Sequence, residues 1–304
     1  MPDNPTTECN IVSALSAAAA TLRTANVETP LLDSQLLLAW VIKGRREDLA
    51  REPERVLTKR EEIVFDKAVQ LRSQRRPIPY ITGEASFYGR EFKINRGVLI
   101  PRPETELQVE IVRDFASHFE PNAPIRVADI GTGSGCIAVS IACELPAASV
   151  VATDISRLAL LLAAKNVRRH GVADRVQLRH GDLCGPLYPA EEFDIIVSNP
   201  PYIDLSEAAS LMPEVRDYEP AWALYGVESA DGAAVNEHGL PRRIRRRLME
   251  QAQPHLKPGG LLAVEIGLGQ AKDAVSDAAE IGYRELAIVE DHAGIPRILT
   301  GIAS

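Results

Sequence analysis

The tetrapeptide Asn199-Pro200-Pro201-Tyr202 follows an apolar run, Phe193-Asp194-Ile195-Ile196-Val197. A short apolar run ending in a turn reads as a buried strand, and open α/β sheets place their ligands at the carboxyl ends of strands. Two prolines remove two backbone donors and hold two φ angles, so the turn is stiff and rich in acceptors. An Asn side-chain oxygen, a proline carbonyl and an aromatic ring together suit a planar NH2 group. The acceptors take its two hydrogens while the ring stacks on its plane. The chemistry expected of such a receptor is attack by a poor nitrogen nucleophile. By themselves, the four residues are also compatible with an ordinary rigid turn.

A second constellation lies upstream. Asp129-Ile130-Gly131-Thr132-Gly133-Ser134-Gly135 closes one predicted strand and opens a predicted helix, where glycines let a ligand approach the backbone and the helix start offers free N–H groups. A Walker loop needs Gly-Lys-Ser/Thr, which is absent, and Cys136 stands where a dinucleotide fingerprint has glycine. Asp154 ends the next strand at a spacing suited to ribose hydroxyls. Asp182, in His180-Gly181-Asp182-Leu183, follows the third and could accept from an exocyclic adenine amine. Taken singly, each Asp is as well explained by a helix cap or a turn. In order with the glycine turn and Asn199–Tyr202, they suit S-adenosylmethionine, a nucleoside with an amino-acid tail and no phosphate.

Strands and helices alternate from Ile125 onward, which predicts right-handed crossovers and a parallel sheet. The predicted strands are Ile125–Ile130, Ser149–Ile155, Arg175–Arg179, Phe193–Ser198, Leu261–Ile266, Arg284–Val289 and Pro296–Ile302. Only Asp291-His292-Ala293-Gly294 joins the last two, too short for a crossover helix, so they should pair antiparallel at the sheet end. The first seventy or so residues predict helices instead: Thr29-Pro30 starts one that ends at Gly44, and Thr58 with Glu61 caps another whose inward face is Val64, Ala68 and Leu71. Pro77 and Pro79 stop helix formation, and Phe87–Ile94 has the composition of a short hairpin. The expected organisation is a helical substrate-binding domain over 1–76, a hairpin linker over 77–98 and the chemistry-bearing α/β domain over 99–304.

The totals narrow the partners. Lys plus Arg is 34 against 42 Asp plus Glu, a net charge of −8, which disfavours general DNA or membrane binding. Cys9, Cys136, Cys143 and Cys184 show no metal-ligand spacing and predict reduced thiols; no metal is expected. The first residues lack a basic region followed by an apolar one, and no run reaches membrane-spanning length, so a cytoplasmic protein is expected.

Residues beyond the two constellations carry a family resemblance. Pro79-Tyr80-Ile81-Thr82-Gly83, Phe87-Tyr88-Gly89 and Val98-Leu99-Ile100-Pro101-Arg102-Pro103-Glu104-Thr105-Glu106 resemble the peptide chain release factor glutamine methyltransferases. Val215-Arg216, Glu219-Pro220, Ala293-Gly294-Ile295-Pro296-Arg297 and the region around Asp33–Leu38 fit the same pattern. The resemblance implies a class I Rossmann-like methyltransferase with a seven-stranded sheet whose last strand is antiparallel. It also implies S-adenosylmethionine as cofactor, held by Gly131, Thr132, Gly133, Ser134, Gly135, Asp154, Asp182, Leu183 and Asn199. The substrate it implies is the glutamine of a Gly-Gly-Gln tripeptide on a release factor, with Asn199, Pro200 and Tyr202 catalytic. Pro201, Phe87 and Arg102 complete the expected substrate cleft. Two departures stand out: Glu228–Leu240 is longer than the usual link there, and Leu183 replaces an aromatic that some members place against adenine.

Three rival readings remain at this level. A sister family methylates a glutamine of a large-subunit ribosomal protein but usually lacks the Arg-Pro-Glu-Thr-Glu form. An N6-adenine nucleic-acid methyltransferase would use the same tetrapeptide on a flipped base, with Lys43–Arg76 and Arg242–Arg247 as basic surface. A non-catalytic interaction module on the cofactor fold is the third, and an intact glycine turn, Asp154 and Asn199–Tyr202 argue against it.

Overall fold

Five helices open the chain: α1 (Ile11–Thr24), α2 (Pro30–Ile42), α3 (Arg46–Arg51), α4 (Lys59–Ser73) and α5 (Ile78–Thr82). A computed structural model describes residues 9–227 and 239–304; the expanded Glu228–Leu240 link falls outside the described residues as far as position 238. The chain divides into two units, Met1–Gly83 with Met212–Tyr218, and Glu84–Leu211 with Glu219–Ser304.

Local signals start the helices of the first unit. Asn10 and Ser13 form a reciprocal capping box on α1, and Thr58 and Glu61 form the expected one on α4. Thr29 precedes Pro30 as expected, but its hydroxyl donates to Asp33 Oδ1 at 2.8 Å rather than capping the backbone. The inward face of α4 also differs from expectation, being Phe65, Ala68, Val69 and Arg72, while Val64 is exposed. The physical reason is Arg72. A buried arginine breaks the apolar periodicity, and here its charge is matched by Asp33 at 2.6 Å and Glu214 at 2.8 Å.

The second unit begins with a hairpin, β1 (Glu84–Phe87) and β2 (Arg90–Lys93), turned by Tyr88 and Gly89 at φ 50 and 69. Then follow α6 (Glu106–Ala116), β3 (Ile125–Ile130), α7 (Cys136–Glu144), β4 (Ala148–Asp154), α8 (Arg157–Arg169), β5 (Val176–His180) and β6 (Phe193–Ser198). A short helix, α9 (Pro213–Arg216), lies in the segment that groups with the first unit. The chain continues through α10 (Ala221–Tyr225), α11 (Leu240–Ala252), β7 (Leu256–Glu265), α12 (Ala271–Ile281), β8 (Arg284–Glu290) and β9 (Pro296–Ile302).

The sheet order is β5-β4-β3-β6-β7-β9-β8, parallel from β5 to β7, with β9 antiparallel to both of its neighbours. This is the expected seven-stranded sheet with the last strand reversed. All six residues of β6 are buried, as a central parallel strand requires. One boundary moved. β7 starts at Leu256 rather than Leu261, because Lys257-Pro258-Gly259-Gly260, which reads as a turn, is carried as an irregularity that keeps Leu256 paired with Phe193. No helix among the described residues is long and apolar enough to cross a membrane.

Candidate active site

Register brings the separated motifs together. Ile130 of β3 pairs with Ser198 of β6, so Gly131 and Asn199 leave the sheet side by side. Ile130 also pairs with Thr153, which places Asp154 next to the glycine turn. Asp154 pairs with His180, ahead of Gly181 and Asp182, while Ser198 pairs with Val264, ahead of Glu265. β3 and β6 are also where the strand order reverses, the position at which doubly wound sheets open a crevice.

A cavity of about 430 Å³ lies at this end of the sheet. Its lining takes in Gly131, Thr132, Gly133, Ser134, Asp154, Asp182, Leu183, Asn199, Pro200, Pro201 and Arg102. Three expected residues are absent from that lining. Gly135 instead ends the turn, with φ 81 and Ala163 Cβ only 3.2 Å from where its own Cβ would lie, so it serves close packing of α7 on α8. Phe87 is a correction: it is 1% exposed and meets Phe92 edge to face at 6.1 Å, because both hairpin strands turn their aromatics inward. Tyr202 is half-buried and is also absent from that lining. Burial, and then the Glu265 carboxyl, push its hydroxyl well above the usual tyrosine range, and its carbonyl accepts from Gln270 Nε2 at 2.6 Å.

The glycine turn is held from several sides. Gly133, at φ 58 with open space where a Cβ would stand, donates its N–H to Asp154 Oδ2 at 2.8 Å. Asp154 Oδ1 accepts from Ser156 N at 2.8 Å; burial raises its pKa and these two N–H groups oppose the rise. Complete burial pushes Asp129 up to about 7, against the Thr132 hydroxyl and the Ala138 N–H that it accepts. The Asn166 amide donates to Ser134 O at 2.8 Å and to Lys93 O at 3.0 Å, and accepts from Lys93 N at 2.7 Å. One side chain thereby joins the hairpin to the glycine turn.

On the other wall, the Asn199 amide donates to Thr105 Oγ1 at 3.2 Å and Gln108 Nε2 donates to the Ser198 carbonyl at 2.8 Å. Arg102 pairs with the buried Glu219 at 2.6 Å, and Glu219 also accepts from Ile100 N at 3.2 Å. The Ile100–Glu106 and Glu219-Pro220 motifs, far apart in sequence, are thus two halves of one contact. Asp182 lines the cavity with one oxygen held by Arg247 at 2.7 Å. Arg247, Ile244 and Leu240 present one face of α11 to the cavity.

Sequence reasoning missed Glu265, Gln108, Asn166 and the α11 face. Glu265 had a readable signal, an acidic residue ending an apolar strand; Gln108 and Asn166 had none, being lone polar residues on helices. Three arginines of the basic stretch on α11 are matched within the protein: Arg242, Arg245 and Arg246 converge on Asp277 of α12 at 2.9, 3.5 and 3.3 Å.

Known proteins resemble this chain over most of its length. Residues 13–83 match the family described as PrmC N-terminal domain, and residues 113–213 match the methyltransferase small domain. A release factor glutamine methyltransferase of Koribacter versatilis is 39% identical over 288 residues, covering 95% of this chain and 96% of that one. One from Clostridium acetobutylicum is 36% identical over 293 residues, covering 96% and 98%. Among solved structures, the catalytic domain of hMettl16, in complex with MAT2A 3'UTR hairpin 6, superposes with TM-score 0.52 at 18% identity, over 82% of this chain and 84% of that one. That likeness supports the class I methyltransferase fold. The relatives match over nearly their whole length, and the chain belongs to the release factor glutamine methyltransferase family.

Proposed function

We propose that this enzyme methylates the side-chain amide nitrogen of the glutamine in the Gly-Gly-Gln motif of peptide chain release factors, with S-adenosylmethionine as donor. The observation that carries the reading is the Asn199 amide. It stands in the cavity beside the glycine turn, with its nitrogen engaged by Thr105. Glycine neighbours let a bare glutamine reach into a narrow cleft.

The residues present fit the cofactor. The open space beside Gly133, the buried Asp154 at the end of β4, and the aliphatic Leu183 suit the amino-acid tail, the ribose hydroxyls and the adenine face respectively. Asp182 keeps its assignment to the adenine amine through the oxygen that Arg247 leaves unengaged. When bound, S-adenosylmethionine supplies an electrophilic methyl on a sulfonium leaving group.

The protein's share is alignment and charge placement. A carboxamide nitrogen is a weak nucleophile because its lone pair is delocalised into the carbonyl. Asn199 Oδ1 and the Pro200 carbonyl accept the two amide hydrogens, which favours charge development on nitrogen in the transition state. Pro201 and Arg102 wall the substrate side, with Arg102 fixed by Glu219. Tyr202 is half-buried, and Gln270 holds its carbonyl at the end of the turn. The proton leaves after transfer, so no strong base is required. The helical unit holds the protein substrate, the partner is a release factor rather than nucleic acid, and the enzyme works in the cytoplasm where release factors act.

Intact-mass analysis of a release factor after incubation with enzyme and S-adenosylmethionine tests this reading. One added methyl is expected, absent when Gly-Gly-Gln is changed to Gly-Gly-Ala. No mass change on the unaltered factor, with cofactor binding verified, would send the assignment to the ribosomal protein glutamine.

A further inference from the structure

A primary amide has two ends, and only its oxygen can accept a substrate hydrogen. The Asn199 nitrogen donates to Thr105 Oγ1 at 3.2 Å, and the Thr105 hydroxyl donates to Glu265 Oε2 at 2.7 Å. An ionised carboxylate only accepts, so the Thr105 hydrogen is committed to Glu265 and only lone pairs are left for Asn199. The reversed amide would set two oxygens against each other with no hydrogen between them. Among the described residues, Thr105 is the one side chain bonded to Asn199, and Glu265 is the one acceptor of the Thr105 hydroxyl hydrogen.

We propose that Thr105 and Glu265 are positioning residues, a two-step relay that fixes the Asn199 amide with its oxygen turned to the substrate. The proposal rests on the reading of Asn199 Oδ1 as an acceptor of the glutamine amide. The fold supports the relay at both ends. Glu265 follows Val264, the partner of Ser198, so its backbone lies beside that of Asn199 in the ladder. Thr105 comes from the turn Pro103–Thr105 that opens α6, and is 2% exposed.

The relay is sensitive to one proton. Glu265 is 2% exposed, and burial pushes its pKa up to about 7; Glu104 adds to the rise, while the Thr105 hydroxyl, Arg297 and Arg102 oppose it. Tyr202 also faces it and stays neutral. A protonated Glu265 becomes a donor to Thr105, which can then give its own hydrogen to Asn199 and release the amide from its fixed sense. Turnover should therefore fall as pH drops through the Glu265 pKa.

The test compares steady-state kinetics on a release factor, from about pH 6 to about pH 9, for wild type and four variants, with cofactor binding measured by calorimetry. Thr105→Val should lower kcat roughly 10- to 100-fold, the scale of a misplaced reacting group, with KM and cofactor Kd nearly unchanged. Thr105→Ser, which keeps the hydroxyl, should recover most of that loss. Glu265→Gln, which like the protonated carboxyl can donate as well as accept, should hold turnover near the wild-type low-pH value across the range and lose the acidic limb of the profile. Asn199→Ala is the reference. If Thr105→Val turns over like wild type while Asn199→Ala is inactive, the relay is wrong and the role of Asn199 stands. If Asn199→Ala is itself fully active, both fail. Equal damage from Val and Ser, or an acidic limb that survives in Glu265→Gln, overturns the proposal as well.

Discussion

The buried carboxylates of the helical unit and those at the strand ends around the cavity are treated in opposite ways. In the helical unit, Asp33 and Glu214 surround Arg72, and Arg75 adds a second cation to Glu214 at 2.7 Å. At the cavity end of the sheet, Asp129, Asp154 and Glu265 form no ion pair among the described residues. Hydroxyls and backbone N–H groups are their partners instead, and Asp129 Oδ1 is left buried without one. The consequence shows in their acidity: cations hold Glu214 below its ordinary value against burial, whereas burial dominates the other three and raises them. Paired charges hold a shape; unpaired ones orient donors around a cavity and remain able to take up a proton.

The sharpest way to break this contrast is to strip a cation from the first unit. Arg72→Met leaves Asp33 and Glu214 buried without it and should cost about 3–5 kcal/mol of stability, read by denaturant unfolding of the whole chain. A loss well under that would mean the pair is solvated and the contrast is false. At the other site the corresponding blow is functional. Asn199→Ala should reduce kcat on the order of 100-fold or more, the scale of a lost transition-state acceptor, while cofactor Kd moves little. Equal losses in both would reassign Asn199 to the cofactor.

Stability against pH separates the two sets of carboxylates by sign. Asp129 and Glu265 have folded pKa values raised to about 7, so their contribution is fully present below the unfolded carboxylate range and is lost as pH rises toward and through that value. Glu214 is lowered, so its contribution is present above the unfolded value and is lost as pH falls through the folded one. Asp129→Asn should accordingly flatten the decline in unfolding free energy between about pH 4 and about pH 7, while Glu214→Gln should flatten the acid limb. An unchanged profile in Asp129→Asn would show that its carboxyl is not the titrating group. The smallest effect is expected at Arg247→Ala, whose pair with Asp182 is half exposed on both sides and should be worth no more than about 1 kcal/mol. A larger loss would make that pair part of the site's framework.

The contrast also explains what the sequence revealed. Asn199, Gly133 and Asp154 stand at strand ends in short motifs, so their chemistry and their common location could be read together. The Thr105–Glu265 bond spans 160 positions, and Arg102–Glu219 spans 117, distances over which no local pattern carries a partner. Arg72 defeated the helical periodicity because a core cation looks like a surface one until its anions are found. Phe87 was misplaced for a related reason: alternation in a four-residue strand names two faces without saying which is covered.

Asn166 gives the hairpin and the glycine turn a common fastening, since one amide holds both Lys93 and the Ser134 carbonyl. Deuterium uptake at the Lys93 amide consequently reports on the integrity of the turn, in the absence of any substrate. A ligand that tightens the turn should slow that exchange, and Asn166→Ala should uncouple the two, turning a silent scaffold residue into a spectator probe of cofactor binding.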